Sequence, residues 1–157
     1  MAKPIPGQYG VVATPGFFGF LIRLGTFSRW NHAFIYIGKG QIVEANPKGV
    51  QVMPVSEYPN IAWNQHEPLT ATQRLAIVDT ATSFIGKPYD FTDIFILTFR
   101  CLGLKLPRFF FGNVSKHKGL ICSELVAKAY KSAGIELVAK ADNLVTPSDL
   151  AYRLIYQ

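Results

Sequence analysis

Apolar and polar positions alternate, then repeat at helical spacing, then alternate again along the chain. Gly10 to Thr14 (GVVAT) follows a Pro/Gly-rich lead-in and predicts a short strand. Phe17 to Phe27 (FFGFLIRLGTF) has apolar residues at helical spacing around Arg23. It predicts an amphipathic helix packed on the core, too short to span a bilayer. His32–Ile37 and Gln41–Asn46 predict a hairpin closed by Gly38-Lys39-Gly40, and Val50–Val55 a further strand after Gly49. Thr70 to Ile85 reads as a helix, with Thr70 as N-cap, Gln73 at the capping-box position and apolar Leu75, Val78, Ala81 and Ile85. Gly86-Lys87-Pro88 ends it. Phe91 to Gly112 is apolar and aromatic, is broken by Pro107 and takes no assignment; a helix followed by a loop over the site is one arrangement. A helix is predicted from Cys122 to Ser132, stopped by Gly134, and Thr146-Pro147-Ser148-Asp149-Leu150 opens another with proline in its first turn. No internal repeat or second domain is visible, so residues 1–157 are expected to form one α+β domain.

The hairpin decides which side chains can meet. A three-residue loop with Gly40 left-handed sets Ile37 opposite Gln41, Phe34 opposite Glu44 and His32 opposite Asn46. His32 and Glu44 then share one face as diagonal neighbours, roughly 7–8 Å apart at the backbone. A two-residue loop would put them on opposite faces.

Composition narrows the class. With 49% hydrophobic and only 17% charged residues, the chain is globular rather than disordered. The net charge of +6 favours anionic partners such as lipid head groups or wall polymers. Its basic residues cluster only mildly, around Arg23 and Arg29 and at Lys116-His117-Lys118, so no nucleic-acid arm is expected and solubility is the simple reading. Twelve phenylalanines leave apolar surface to spare for a ligand or partner. Pro4, Pro6 and Gly7 interrupt any apolar stretch that could serve as a secretory signal, so a cytosolic place, or one in a phage particle, is expected. Two cysteines do not make a disulfide framework, and Cys101, in FILTFRCLGLKL, suits a buried small hydrophobe.

Cys122 is the candidate nucleophile. The attacking species is a thiolate, and the first turn of a helix favours an anion. His32 is the candidate base, which takes the thiol proton and returns it to the leaving group. Glu44, a carboxylate in the apolar run IVEA, needs a buried partner and is the candidate for orienting the ring, with Asn46 in reserve. Glu124, two positions past Cys122, should point away from it. Plainer roles exist for each: a cysteine at a helix start is more often structural, and His32 lies close to Trp30. His66 and His117 sit in polar loops and should face solvent. The cysteines are not clustered and no His-x-x-x-His pair occurs, so no metal ion or cofactor is expected.

At these residues the chain resembles the NlpC-type papain-like superfamily, in its circularly permuted branch of YiiX-like and lecithin retinol acyltransferase-like proteins. HAFIYIGKGQIVEANPKGV is similar to that branch's histidine strand, turn and following strand. LICSELVAKAY is similar to its nucleophile helix, and GKPYDF to the segment preceding the cysteine. The resemblance implies a permuted papain-like fold: a small antiparallel sheet packed against a nucleophile-bearing helix, with base before nucleophile in the chain. It implies Cys122 as nucleophile, His32 as base, Glu44 as third group and Tyr89 at the oxyanion. Glutamate there departs from the wall-peptidase pattern but is what YiiX-like members tend to show. The expected activity is hydrolysis of a peptide or isopeptide amide, in bacterial cell-wall peptides, through an acyl-thioester on Cys122. The aromatic runs at Gly16–Phe27 and Arg108–Gly112 leave an acyl-lipid esterase or transferase open, and a non-catalytic binding or virion module is the third class.

Overall fold

Among the described residues the strands and α-helices are β1 (Tyr9–Val12), α1 (Phe17–Thr26), β2 (His32–Gly38), β3 (Gln41–Asn46), β4 (Gly49–Pro54), β5 (Ala62–Trp63), α2 (Ala71–Ser83), α3 (Cys122–Ser132) and α4 (Pro147–Ile155). They are seen in a computed structural model that describes residues 3–65, 68–91, 94, 98–99, 102–103 and 119–155. The expectations for Cys101, His66, His117, the Lys116–Lys118 cluster and most of the 91–112 run fall outside these residues. The fold is α+β, with one antiparallel sheet in the order β4-β3-β2-β1-β5. β5, only two residues long, is too short to leave a periodic signal.

Strand alternation gives the sheet two buried faces. Val11, Ala33, Ile35, Val43 and Ala45 join a core with Leu125, Val126, Ala129 and Tyr130 of α3 and Ile77 and Ala81 of α2. Val12, Phe34 and Ile42 point the other way, into a smaller cluster with Met53, Tyr58, Ile61 and Trp63. Gly10 makes room there: a Cβ on it would lie 2.6 Å from the Phe34 ring. α3 is buried almost all round through its first two turns, so a run that reads as polar (CSE) lies inside the protein. The Tyr130 hydroxyl donates to Gly7 O (2.9 Å) and that of Tyr9 to Leu150 O (3.1 Å), tying β1 to α3 and α4.

The hairpin differs from expectation in a way that preserves its consequence. Gly38 pairs with Gln41, so the loop is two residues, Lys39-Gly40, both at positive φ as a type I′ turn requires. Such a loop alone would separate His32 from Glu44. A bulge between Tyr36 and Gly38 absorbs Ile37, and Phe34 again lies opposite Glu44. The primed turn suits the strand twist, and the bulge restores the face.

The capping box of α2 forms as read, with Gln73 N donating to the Thr70 hydroxyl and Thr70 N to the Gln73 side chain. Its buried stripe does not. Leu75 and Ile85 are exposed, and the helix rests on Ile77 and Ala81, with Phe84 at its end. Small alanine and threonine side chains let two faces compete, and packing against α3 and β2 selects the one carrying Ile77.

Beyond α2, residues 86–90 are sewn to the sheet on one side and to the approach of α3 on the other. Gly86 N donates to Val50 O and Val50 N to Lys87 O, both 2.9 Å, while Leu120 N donates to Pro88 O at 3.0 Å. This places Tyr89 beside Leu120, two residues before Cys122. The close approach needs Gly49, whose φ is +109° and whose added Cβ would lie 2.9 Å from Lys87 O. Gly49→Ala is therefore expected to cost roughly 1–3 kcal/mol in chemical denaturation; an unchanged midpoint would refute this account of the contact.

Candidate active site

Two of the residues singled out from sequence are the first of their elements. His32 opens β2 and pairs with Val12, the last residue of β1, so it stands at the end of the sheet. Cys122 opens α3. The N-cap of that helix is Ile121, whose side chain can accept nothing, so no side chain caps the first-turn N–H groups. Ser123 fixes the helix start instead, donating to Val145 O at 2.6 Å. Cys122 is a buried free thiol.

Glu44, on β3, has no exposed surface. Three donors meet its carboxylate. His32 Nε2 lies 2.8 Å from Oε2, the Tyr58 hydroxyl donates to the same oxygen at 2.6 Å, and Asn46 Nδ2 donates to Oε1 at 2.7 Å. Asn46 thus holds the carboxylate rather than the ring. With Nε2 engaged by Glu44, Nδ1 is the ring nitrogen left for another partner, and Cys122 lies close enough to act on the charge of the ring. His32, Glu44 and Cys122 come together, and Glu124 stands apart, paired with Lys128 at 2.8 Å.

Tyr58 was not found from sequence. It follows a 3₁₀ turn (Val55–Glu57), in a loop whose EYPN composition signals only a turn. Its ring stacks on Phe34 at 5.2 Å and tilts against the His32 ring at 5.5 Å. The aromatic pattern of β2 hints at a packed ring, but nothing in the sequence says which one.

The charges follow from this packing. Burial alone would push the His32 pKa down, but the hydrogen bonds to Cys122 and Glu44, with their charge, outweigh it and raise the imidazole from 6.5 to about 10. Burial would raise Glu44, yet the bond to His32, the imidazolium charge, Tyr58 and Asn46 together hold it below its usual range. Tyr89 is pushed up, first by burial and then by the charges of Cys122 and Glu44. His32, Asn46, Tyr58 and Tyr89 line a cleft of about 410 Å³, whose far wall is Phe17 and Ile22 of α1. Asn31, next to His32, clamps that wall: its Oδ1 accepts from Thr14 N and its Nδ2 donates to Thr14 O, both at 2.8 Å.

A family model described as a permuted papain-like amidase enzyme, YaeF/YiiX, C92 family, matches residues 12–96, which include His32, Glu44, Tyr58 and Tyr89 and stop short of Cys122. Five solved chains match. One is the crystal structure of the metalloprotein YiiX from Escherichia coli O157:H7, 20% identical, with a TM-score of 0.66 over 87% of this chain and 70% of that one. At that identity the likeness is one of fold. No curated protein matches. Among the described residues no group of three or more His, Cys, Asp or Glu side chains is placed to hold a metal ion.

Two outcomes follow from this geometry. Tyr58→Phe keeps the ring and deletes a donor to a charged oxygen; a loss of about 1–3 kcal/mol in chemical denaturation is expected, and no loss would contradict the bond. Because the folded pKa of His32 lies above its ordinary value, the stability it contributes is complete below pH 6.5 and is lost as pH rises through about 10. Denaturation midpoints measured across that window should fall in the wild type and flatten in His32→Ala; parallel curves would show that His32 carries no such proton.

Proposed function

This chain belongs to the permuted papain-like amidase family, and so is a cysteine hydrolase of amide bonds; we propose that Cys122, His32, Glu44 and Tyr89 carry the reaction on peptide or isopeptide links of the bacterial cell wall. The observation that supports the assignment is the buried Glu44–His32 pair, with a free thiol beside it at an uncapped helix N-terminus.

The sulfur of Cys122, as thiolate, attacks the carbonyl carbon, and the carbonyl π electrons move to oxygen. The Cys122 backbone N–H and the Tyr89 hydroxyl face that oxyanion. Burial and the neighbouring negative charge hold Tyr89 protonated, as a donor must be. The C–N bond then breaks and the amine leaves with the proton held by His32, giving an acyl-thioester. Neutral His32 takes a proton from water, hydroxide adds to the thioester, and the acid departs as sulfur recovers its electrons. Glu44 keeps Nε2 occupied, so Nδ1 stays aimed at the sulfur throughout.

The cell-wall substrate is supported by the likeness of the histidine and cysteine segments to NlpC-type hydrolases. A second reading, an esterase or acyltransferase for acyl lipids, is favoured by the apolar wall of the cleft, with Pro15, Phe17, Ile22 and Pro47. Wall-peptide fragments and phospholipids offered in parallel separate the two.

With wall peptides, Cys122→Ser should abolish hydrolysis while leaving stability nearly unchanged, and Cys101→Ser should retain it. His32→Ala should lower kcat about 10²–10⁴-fold, Glu44→Gln by less, and Tyr89→Phe about 10²-fold. In a Cys101→Ser background, iodoacetamide alkylation of Cys122 should change its pH profile when His32 is replaced by alanine. An identical profile, or full turnover by Cys122→Ser, would sink the assignment.

A further inference from the structure

α1 is turned the wrong way round for a helix of a globular protein. Its buried side is made of Gly19, Ile22 and Gly25, spaced by three, and the two glycines let it lie flat on its neighbours. A Cβ on Gly19 would meet Asn31 Nδ2 at 2.5 Å, and one on Gly25 would meet Thr98 Cα at 2.9 Å. The opposite side carries Phe20, Leu24 and Phe27, exposed to 53%, 45% and 83%. Phe17 continues this row onto the rim of the cleft that holds His32 and Tyr89. Among the described side chains of this helix, Phe20, Leu24 and Phe27 thus face outward while Gly19, Ile22 and Gly25 face the protein, and water contacts apolar rings that an amphipathic helix ordinarily hides.

The charge of the chain segment that carries this row has one sign, although Glu57, from a later loop, lines the cleft with Phe17. No acidic residue precedes Glu44 in the chain, whereas Lys3, Arg23, Arg29 and Lys39 are all basic. Arg23 flanks the row on α1, and Arg29 lies two residues beyond Phe27 with its guanidinium over the Trp30 ring at 4.4 Å. Outward phenylalanines bordered by arginine and tryptophan are what an interfacial helix presents to acyl chains and anionic head groups. Among the described residues no helix is long and apolar enough to cross a membrane, so the contact is with a surface.

We infer that the outward face of α1 docks on an anionic lipid bilayer, with Phe20, Leu24 and Phe27 entering the interface and Arg23 and Arg29 meeting head groups. The cleft rim at Phe17 is thereby brought to the membrane, and substrates anchored there are favoured. The last step rests on the catalytic reading; the docking itself does not involve Cys122.

The test is co-sedimentation with extruded vesicles, phosphatidylglycerol with phosphatidylcholine against phosphatidylcholine alone, using wild type and Phe20→Ser/Phe27→Ser. Neither replaced side chain lines the cleft. The wild type should bind the anionic vesicles at least tenfold more tightly than the neutral ones, and the double variant should lose at least tenfold. A soluble amide substrate should be cleaved equally by both proteins, which reads the catalytic assignment separately. Three results overturn the inference: no vesicle binding by the wild type, binding unchanged in the double variant, or sedimentation velocity showing a dimer of this chain that the double substitution dissolves.

Discussion

A carboxylate with no solvent exposure needs hydrogen-bond donors from the protein in place of water, and the site is organised around meeting that demand. Glu44 draws in an imidazole, a phenol and a carboxamide from three different stretches of chain. Left without them it would be an uncompensated charge in the protein interior. Each donor is constrained in turn. The His32 ring cannot rotate without abandoning Oε2, and the Tyr58 ring is wedged between His32 and Phe34. Orientation at the sulfur is thus a by-product of electrostatic necessity one residue further in.

The remaining parts reach this pair by termini and seams. Cys122 arrives at the first position of α3, and the burial of that helix on nearly all sides leaves it one way to lie. Tyr89 arrives because its segment is stitched between Val50 and Leu120. Gly49 and Gly119 permit those contacts, since a Cβ on either would come within 3 Å of the 87–90 backbone. Chain segments remote in sequence are therefore held together by backbone hydrogen bonds, and the reactive side chains are carried on them.

Much of this was legible. The capping box at Thr70 and Gln73, the extent of α3 and the oddity of a glutamate in IVEA are local signals, and local signals survive folding. The Thr146–Asp149 start of α4 is another, with each residue's backbone N–H donating to the other's side chain. What escaped was set by partners the local pattern does not contain. The stripe of α2 was settled by α3 and β2, and α1 packs by Gly19, Ile22 and Gly25 while Phe20, Leu24 and Phe27 stay outside. Tyr58 was invisible because its place depends on Phe34 and Glu44, which lie on two other stretches of chain. β5 is defined by its partner β1 rather than by any rhythm of its own.

The bulge at Ile37 makes residue count, and not only residue identity, a carrier of chemistry. Trim the loop by one amino acid while keeping every side chain in the site, and the odd and even positions of β3 trade places. The glutamate would then be handed to the layer beneath, and an aliphatic neighbour would stand where the imidazole seeks an anion. In this hairpin a deletion far from the sulfur works like a slipped gear tooth, leaving each part whole and the mesh lost.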